Sequence, residues 1–117
     1  MLDRTELRPA ELESHAARAA AMLRSIANTS RLLVLCHLVE GEKSVGELQR
    51  IIGIGQSALS QHLATLRAKN LVAVRREAQT IFYRLNGPEP TAVLETLYAL
   101  YCRPAGQSAP AAQSPRD

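Results

Sequence analysis

Two cysteines are the most reactive side chains in this sequence. Cys36 and Cys102 are the only thiols among its 117 residues. Two thiols are too few for a disulfide scaffold, and no Cys-x-x-Cys motif indicates a thiol redox enzyme. Because a free cysteine often packs as a small hydrophobic side chain, the sequence leaves two interpretations open: a structural pair and a reactive pair.

Residues 56–69 contain a second informative pattern. Leu59, Leu63 and Leu66 recur at the spacing of one buried helix face. The reverse side carries hydroxyl and amide groups on Ser57, Ser60, Gln61 and Thr65. Such groups can donate and accept hydrogen bonds at base edges in the major groove of DNA. We expect base contacts from Gln61 above all, with Gln56 at the start of the same helix; ordinary surface polarity is the alternative.

Basic residues concentrate in the middle of the chain. The formal net charge is +3, but residues 43–85 hold seven Lys and Arg against two Glu. This surplus favours contact with a polyanion, although a solvated basic face would look the same. The candidate phosphate contacts, with two further hydrogen-bond donors, are Arg67, Arg75, Arg76, Arg84, His62 and Gln79.

The composition excludes several classes of protein. Apolar residues make up 46% of the chain and charged residues 21%, which suits one small globular domain. No apolar run is long enough to span a bilayer, and the charged first residues do not resemble a secretory signal. We therefore expect a cytoplasmic protein with no membrane partner. With no glycine-rich phosphate loop and no evident substrate cleft, we expect neither enzymatic activity nor a cofactor.

Hydrophobic periodicity predicts a mainly α fold with one small β-hairpin. The five expected helices span residues 10–27, 28–41, 44–53, 56–69 and 91–102, and the hairpin spans residues 72–85. Asn28 is the predicted N-cap of the second helix and Ser44 that of the third, with Glu47 three residues further on in the capping-box pattern. Asn70 is the predicted left-handed residue after the fourth helix. Residues 1–9 are predicted to form a flexible arm, residues 10–102 the folded domain, and residues 103–117 a disordered tail.

The last predicted helix carries more apolar surface than one small domain needs. Its two stripes consist of Val93, Leu97 and Leu100, and of Leu94, Tyr98 and Tyr101. We expect a homodimer that packs through the first and last helices.

This order of elements is the winged helix-turn-helix layout, in which the second helix of the turn enters the major groove. Four segments, in order, resemble the ArsR/SmtB family of bacterial repressors over roughly residues 18–102. They are residues 44–48 (SVGEL), 56–63 (QSALSQHL), 66–67 (LR) and 79–85 (QTIFYRL). The resemblance implies a repressor that binds a double-stranded DNA operator.

The positions of Cys36 and Cys102 resemble the dithiol SqrR/BigR branch of that family, which responds to persulfides or oxidants. What this implies is a homodimer that releases its operator when a disulfide or polysulfide links the two thiols. A direct disulfide requires Cα atoms about 4.4 to 6.8 Å apart, and a wider gap favours a polysulfide. Two departures from the family are Gly55, where relatives often have a Ser or Thr cap, and Ala78, where they often have glycine.

Two alternatives remain open within this fold. A metal-responsive repressor would need thiolate or imidazole ligand sets, but the third predicted helix has no Cys-x-Cys motif. The last helix also lacks the His and Asp pattern of zinc-responsive members. A winged helix that binds only protein is the other alternative, and it would lack a steep dependence of binding on salt.

Overall fold

The structure, a computed structural model, describes residues 8–102 and shows a helical protein with a small antiparallel sheet. Its elements are α1 (Pro9–Ile26), α2 (Thr29–Val39), β1 (Lys43–Ser44), α3 (Val45–Ile52), α4 (Gln56–Ala68), β2 (Val72–Glu77), β3 (Thr80–Leu85) and α5 (Pro88–Tyr101). This confirms the predicted fold class. Most of the predicted arm and the whole predicted tail lie outside the described residues, and Pro9 is already helical.

Local hydrogen bonds explain where the helices begin and end. The Asn28 side chain accepts from the backbone N–H of Arg31 at 3.0 Å, so Asn28 caps α2 as predicted. Ser44 and Glu47 form the predicted capping box of α3: Ser44 Oγ accepts from the Glu47 N–H at 3.1 Å, and the Ser44 N–H donates to Glu47 Oε1 at 2.8 Å.

The end of α4 is a Schellman motif. Asn70 adopts a left-handed conformation with φ 61°, which confirms its predicted role. The N–H of Leu71 donates to the carbonyl of Leu66 at 3.0 Å, and the N–H of Asn70 donates to the carbonyl of Arg67 at 2.9 Å. These bonds direct the chain from α4 straight into β2.

The sheet has one strand that the sequence pattern did not reveal. Its strand order is β1-β3-β2, with Lys43 opposite Tyr83 and Ser44 opposite Phe82. A strand of two residues is too short to show an alternating pattern. Through β1, the residue that caps α3 is also paired with β3 of the hairpin, so α3 and the hairpin are held together.

The core lies between α2, α3, α4 and the start of the hairpin. It contains Val34, Leu35 and Leu38 of α2, Leu48 of α3, the predicted leucine face of α4, and Leu94 of α5. The residues of α2 are apolar nearly all round the helix from Leu32 to Val39, a pattern that predicts a helix at the centre of the core. That prediction is wrong for one side. Leu33 and Val39 are exposed by 41% and 40%, because the described elements of the chain cover only the other sides of α2.

Large apolar side chains are also exposed on α1 and α5. Leu12 and Leu23 of α1 and Tyr98, Leu100 and Tyr101 of α5 are each more than half exposed. The sequence of α1 predicts one buried face, which consists of Leu12, Ala16, Ala19, Leu23 and Ile26. Of these residues only Ile26 is buried. Both helices therefore present apolar surface outwards. No helix within residues 8–102 has the length and hydrophobicity to cross a membrane.

Candidate nucleic-acid interface

The helix-turn-helix consists of α3, a turn over residues 53–55, and α4. Gly53 ends α3 with φ 77°, and its N–H donates to the carbonyl of Gln49. Leu48 of α3 and Leu59 and Leu63 of α4 are buried in the same core. This packing fixes α4 against the protein by one face and leaves the opposite face open to solvent.

An open groove of about 950 Å³ separates α4 from the hairpin, which forms the wing. Three of the predicted contact residues line it from α4, namely Gln56, Ser60 and Arg67, and a fourth, Gln79, lines it from the wing tip. The structure therefore brings these four residues together around one groove, with amide, hydroxyl and guanidinium groups on its walls.

Ser57 and Gln61 lie on the outermost side of α4. At about 100° per residue, they are roughly 160° from the buried Leu59, one on each side of the outer pole. Both are exposed. Their side chains are thus the first part of α4 to meet a surface that approaches it head-on.

His62 and Thr65 lie on the flank of α4 that faces away from the groove, and both are half-buried. The Nδ1 atom of His62 lies 3.5 Å from Nη1 of Arg31, the long end of hydrogen-bond distance. His62 and Thr65 are therefore separated from the groove that Gln56 and Ser60 line.

The register of the wing separates its three arginines. Arg76 is opposite Ile81, and Ile81 lines the groove. Residues directly opposite in an antiparallel pair share a face, and successive residues along a strand face opposite ways. Arg76 therefore lies on the groove side of the sheet, whereas Arg75 and Arg84 lie on the reverse side.

Arg75 is already engaged within the protein. Its Nη2 and Nε atoms lie 2.7 Å and 3.0 Å from the two carboxylate oxygens of Glu42, and its Nη1 lies 3.1 Å from Glu77 Oε1. The guanidinium carbon also lies 4.4 Å from the ring centre of Phe82. The sequence predicted a phosphate contact for Arg75. In the structure, the donors of Arg75 already bind two carboxylates.

This ion cluster perturbs its members. Hydrogen bonds from Arg75, followed by the charges of Arg75 and Arg84, hold the pKa of Glu42 below its usual range, although desolvation opposes them. The Glu42 and Glu77 carboxylates in turn raise the pKa of Arg75. Arg84 thus lies near Glu42 on the reverse side of the sheet, where its charge is partly balanced.

The two cysteines are both exposed free thiols. They lie on α2 and at the end of α5, two helices that pack against each other. Partial burial raises the pKa of the Cys36 thiol, and the negative charge of an ionised Cys102 raises it further. That electrostatic effect requires the two sulfurs to lie near each other. Neither cysteine is a fully buried packing residue.

Within residues 8–102, no three His, Cys, Asp or Glu side chains are grouped so that they could hold a metal ion.

Two contacts between distant positions could not be predicted from the sequence. Glu42 and Arg75 are 33 positions apart, and Arg31 and His62 are 31 positions apart. Because neither pair falls on one helix or in one hairpin, helical spacing and strand alternation could not reveal them. The charge count over residues 43–85 did not include Glu42, which lies just outside that range and neutralises one of the arginines.

Comparison with known proteins identifies the fold and its class. Residues 28–74 match the family model described as bacterial regulatory protein, arsR family. The transcriptional activator HlyU of Vibrio cholerae is 50% identical over 93 residues, which cover 80% of this chain and 86% of HlyU. A structure of reduced HlyU from Vibrio cholerae N16961 has a TM-score of 0.77 at 49% identity, over 80% of this chain and 98% of that chain.

The crystal structure of the transcriptional repressor BigR from Xylella fastidiosa has a TM-score of 0.75 at 40% identity, over 84% of this chain and all of that one. It agrees with the branch that the two cysteines resemble. These relatives are regulators of transcription and not enzymes. The chain is therefore a member of the ArsR family of bacterial regulatory proteins, a DNA-binding transcriptional regulator with a winged helix-turn-helix fold.

Proposed function

We propose that this regulator is a cytoplasmic homodimer that represses transcription from a pseudo-palindromic operator and releases it when Cys36 and Cys102 become covalently linked. The observation that carries the proposal is the pair of exposed thiols on two packed helices, close enough for the charge of one to raise the pKa of the other. The chain's similarity to the repressor BigR supports the direction of regulation.

The outer side of α4 and the groove beside it support the DNA-binding part of the proposal. Gln61 and Ser57, outermost on α4, are positioned for base edges in the major groove, where amides and hydroxyls read sequence. Arg67 and Arg76 flank them on the groove side and would bind phosphates. Supporting contacts would come from Gln56, Ser60, Thr65 and Gln79, from the imidazole of His62, and from Arg84 through its exposed end.

Arg75 has no phosphate contact in this proposal. A guanidinium that already binds two carboxylates would have to give up those bonds before it could bind a phosphate. Its function is instead to hold the wing on the segment that contains Glu42.

The exposed apolar side chains of α1 and α5 support a homodimer. Leu12, Leu23, Tyr98 and Tyr101 are each more than half exposed in the single chain, and a second copy would bury them around a two-fold axis. Such symmetry presents α4 twice, which matches two half-sites about 34 Å apart. Light scattering of the purified protein tests this: we expect twice the mass of one chain.

The thiol step balances with an inorganic polysulfide as the oxidant. One thiolate attacks a polysulfide sulfur, which forms a cysteine persulfide and expels hydrosulfide. The second thiolate then attacks the protein-bound sulfur of that persulfide and expels a second hydrosulfide. In sum, two thiols and one molecule of hydrogen disulfide give a protein disulfide and two molecules of hydrogen sulfide, so the thiols are oxidised and the sulfane sulfur is reduced.

A longer bridge forms by a related step. If each cysteine first becomes a persulfide, the two persulfides condense to a trisulfide and release one molecule of hydrogen sulfide. The distance between the sulfurs in solution decides which of the two products forms.

The test combines intact mass with DNA binding. The probe is a duplex selected by the reduced protein from a random-sequence library, here called the selected duplex, with a scrambled duplex of equal composition as the control. Polysulfide-treated protein is expected to show one internal bridge and weaker binding, by about 5- to 150-fold for a typical allosteric coupling. The Cys36→Ser variant should bind the selected duplex as tightly as the wild type does, and polysulfide treatment should not weaken that binding. A Cys36→Ser protein that still releases DNA after treatment contradicts the proposal.

The base-reading part has its own variant. Gln61→Ala is expected to reduce the preference for the selected over the scrambled duplex by about 1 to 3 kcal/mol without a change in the salt slope. Unchanged discrimination in this variant contradicts the assigned orientation of α4.

A further inference from the structure

Arg31, at the start of α2, joins three helices through its guanidinium. Its Nε donates to the backbone carbonyl of Ser25, and its Nη2 lies 3.5 Å from the carbonyl of Arg24. These carbonyls belong to the last turn of α1, where no helical N–H is available to them. Its Nη1 lies 3.5 Å from Nδ1 of His62 on α4.

The shape of the guanidinium suits this position. It is a planar group with five N–H donors and a fixed charge, so it can serve a helix C-terminus and an imidazole at the same time. Ser25 is 5% exposed and His62 is half-buried, so the contacts lie at the edge of the core and are partly shielded from water. A lysine has one nitrogen and could not reach both ends of this bridge.

In this contact the guanidinium can only donate, so Nδ1 of His62 is the acceptor of any hydrogen bond between the two groups. The ring is thereby held in one orientation on the flank of α4. Because α4 is otherwise fixed mainly by its leucine face, a contact on the flank restrains rotation of the helix about its own axis.

The same helix carries Arg31 and Cys36. They are five positions apart, which is about 7.5 Å along the helix axis. A movement of α2 caused by a bond between Cys36 and Cys102 would therefore move the guanidinium of Arg31 as well, because a short helix moves as a rigid unit. His62 and α4 would follow or lose the contact.

We propose that Arg31 is a positioning residue that holds α4 in the orientation for DNA recognition and carries the effect of the thiol bridge to it. The inference rests on the proposed function, since it assumes that α4 reads DNA and that the thiols control it. Arg31 itself does not touch the DNA in this proposal.

DNA titration tests the positioning role. Arg31→Gln is expected to raise the Kd for the selected duplex about fivefold or more. The matched control is Arg24→Gln, which removes the same charge from the last turn of α1, seven positions earlier, but leaves Arg31 and every backbone carbonyl of the bridge in place. For the scrambled duplex, both variants should change the Kd equally. An effect of Arg31→Gln on the selected duplex no larger than that of Arg24→Gln overturns the proposal.

A double-mutant cycle with His62→Ala tests whether the two residues act as one unit. The cycle is evaluated on the ratio of the selected-duplex Kd to the scrambled-duplex Kd, in which the loss of a phosphate contact by His62 cancels. We expect this ratio to change no more in the double variant than in Arg31→Gln alone, since both changes remove the same contact. A change in the double variant equal to the product of the changes in the two single variants would contradict coupling. Arg31→Lys, which keeps the charge, should restore the scrambled-duplex Kd but only part of the selected-duplex Kd; full restoration of both would also contradict the bridge.

A measurement without DNA separates this inference from the proposed function. Nitrogen-15 NMR of His62 should show an unprotonated, hydrogen-bonded Nδ1 in the reduced wild type, and a changed Nδ1 shift in Arg31→Gln but not in Arg24→Gln. The same signal should change when polysulfide links the thiols. If the protein bound no duplex but showed these shifts, only the proposed function would fail; an Nδ1 shift insensitive to Arg31 would defeat the positioning role alone.

Discussion

Arg75 and Glu42 form a two-pronged ion pair, with Nη2 and Nε of the guanidinium 2.7 Å and 3.0 Å from the two carboxylate oxygens. Glu42 lies just before β1, and Arg75 lies in β2, on the opposite edge of the sheet. The pair therefore spans β3 on the side of the sheet that faces away from α4. It stabilises the orientation of the wing and leaves Arg76, the neighbour of Arg75 in sequence, as the wing arginine that is available on the groove side.

The two neighbouring arginines should differ in their effect on DNA binding. Arg76→Gln is expected to reduce the slope of log Kd against log salt by about one, since a phosphate contact and its released counterion are lost. Arg75→Gln serves as the matched control and should leave the slope unchanged. The measurement is a titration of the selected duplex at several salt concentrations. Equal slopes for Arg76→Gln and the wild type would show that Arg76 does not contact a phosphate.

The ion pair of the Glu42 carboxylate should make the free energy of unfolding depend on pH. Because Arg75 lowers the pKa of Glu42 in the folded state, the stabilisation is present above the unfolded pKa of about 4.5 and is lost as the pH falls through the folded pKa. Glu42→Gln should therefore lower the melting temperature at pH 7. The difference from the wild type should shrink in scans below pH 4.5. A difference that grows as the pH falls would have the wrong sign for this linkage.

Ala78, at the tip of the wing, should be a site where glycine stabilises the protein. It has φ 57°, and a left-handed conformation costs a residue with a Cβ roughly 1 to 2 kcal/mol. Glycine avoids this cost, but it loses more conformational entropy on folding, which offsets part of the gain. Ala78→Gly is expected to stabilise by up to about 1 kcal/mol, or about 4 to 8 °C in melting temperature. The control is Ala92→Gly in the exposed part of α5, which should destabilise by about 1 kcal/mol. Destabilisation by Ala78→Gly would contradict the turn geometry.

The Cys36 thiol should react more slowly than an ordinary cysteine at neutral pH. Partial burial and the charge of Cys102 raise its pKa, and only the thiolate is nucleophilic. The rate of alkylation of Cys36, followed by peptide mass spectrometry from pH 7 to pH 10, is expected to reach its midpoint at a higher pH than that of N-acetylcysteine. Cys102→Ser should shift the midpoint downwards because one cause of the rise is gone. Identical profiles in both proteins would mean that the two sulfurs do not interact.

The sequence predicted the elements of this fold well because local patterns determine them. The Asn28 cap, the Ser44 and Glu47 capping box and the left-handed Asn70 are each encoded within a few residues. All three occur as predicted. The leucine spacing of α4 likewise identified its buried face, and by difference the polar face that carries Ser57 and Gln61.

What the sequence could not reveal depends on contacts between distant segments. β1 exists only because β3 lies beside it. The helical spacing of α2 showed that it is apolar, but not that Leu33 and Val39 would remain exposed in one chain. Charge counting, which treats all arginines alike, could not separate Arg75, bound to Glu42, from Arg76. The positions of these side chains follow from the tertiary fold.

Hydroxyl-radical footprinting of the selected duplex tests the central claim most directly, because it reports where the protein touches DNA and whether the thiols control that contact. For the reduced protein we predict two protected stretches related by two-fold symmetry, with centres about 34 Å apart or at a multiple of one helical turn. Both should disappear after polysulfide treatment of the wild type and persist in treated Cys36→Ser. A single protected stretch, or protection in the wild type that polysulfide leaves unchanged, would contradict the account.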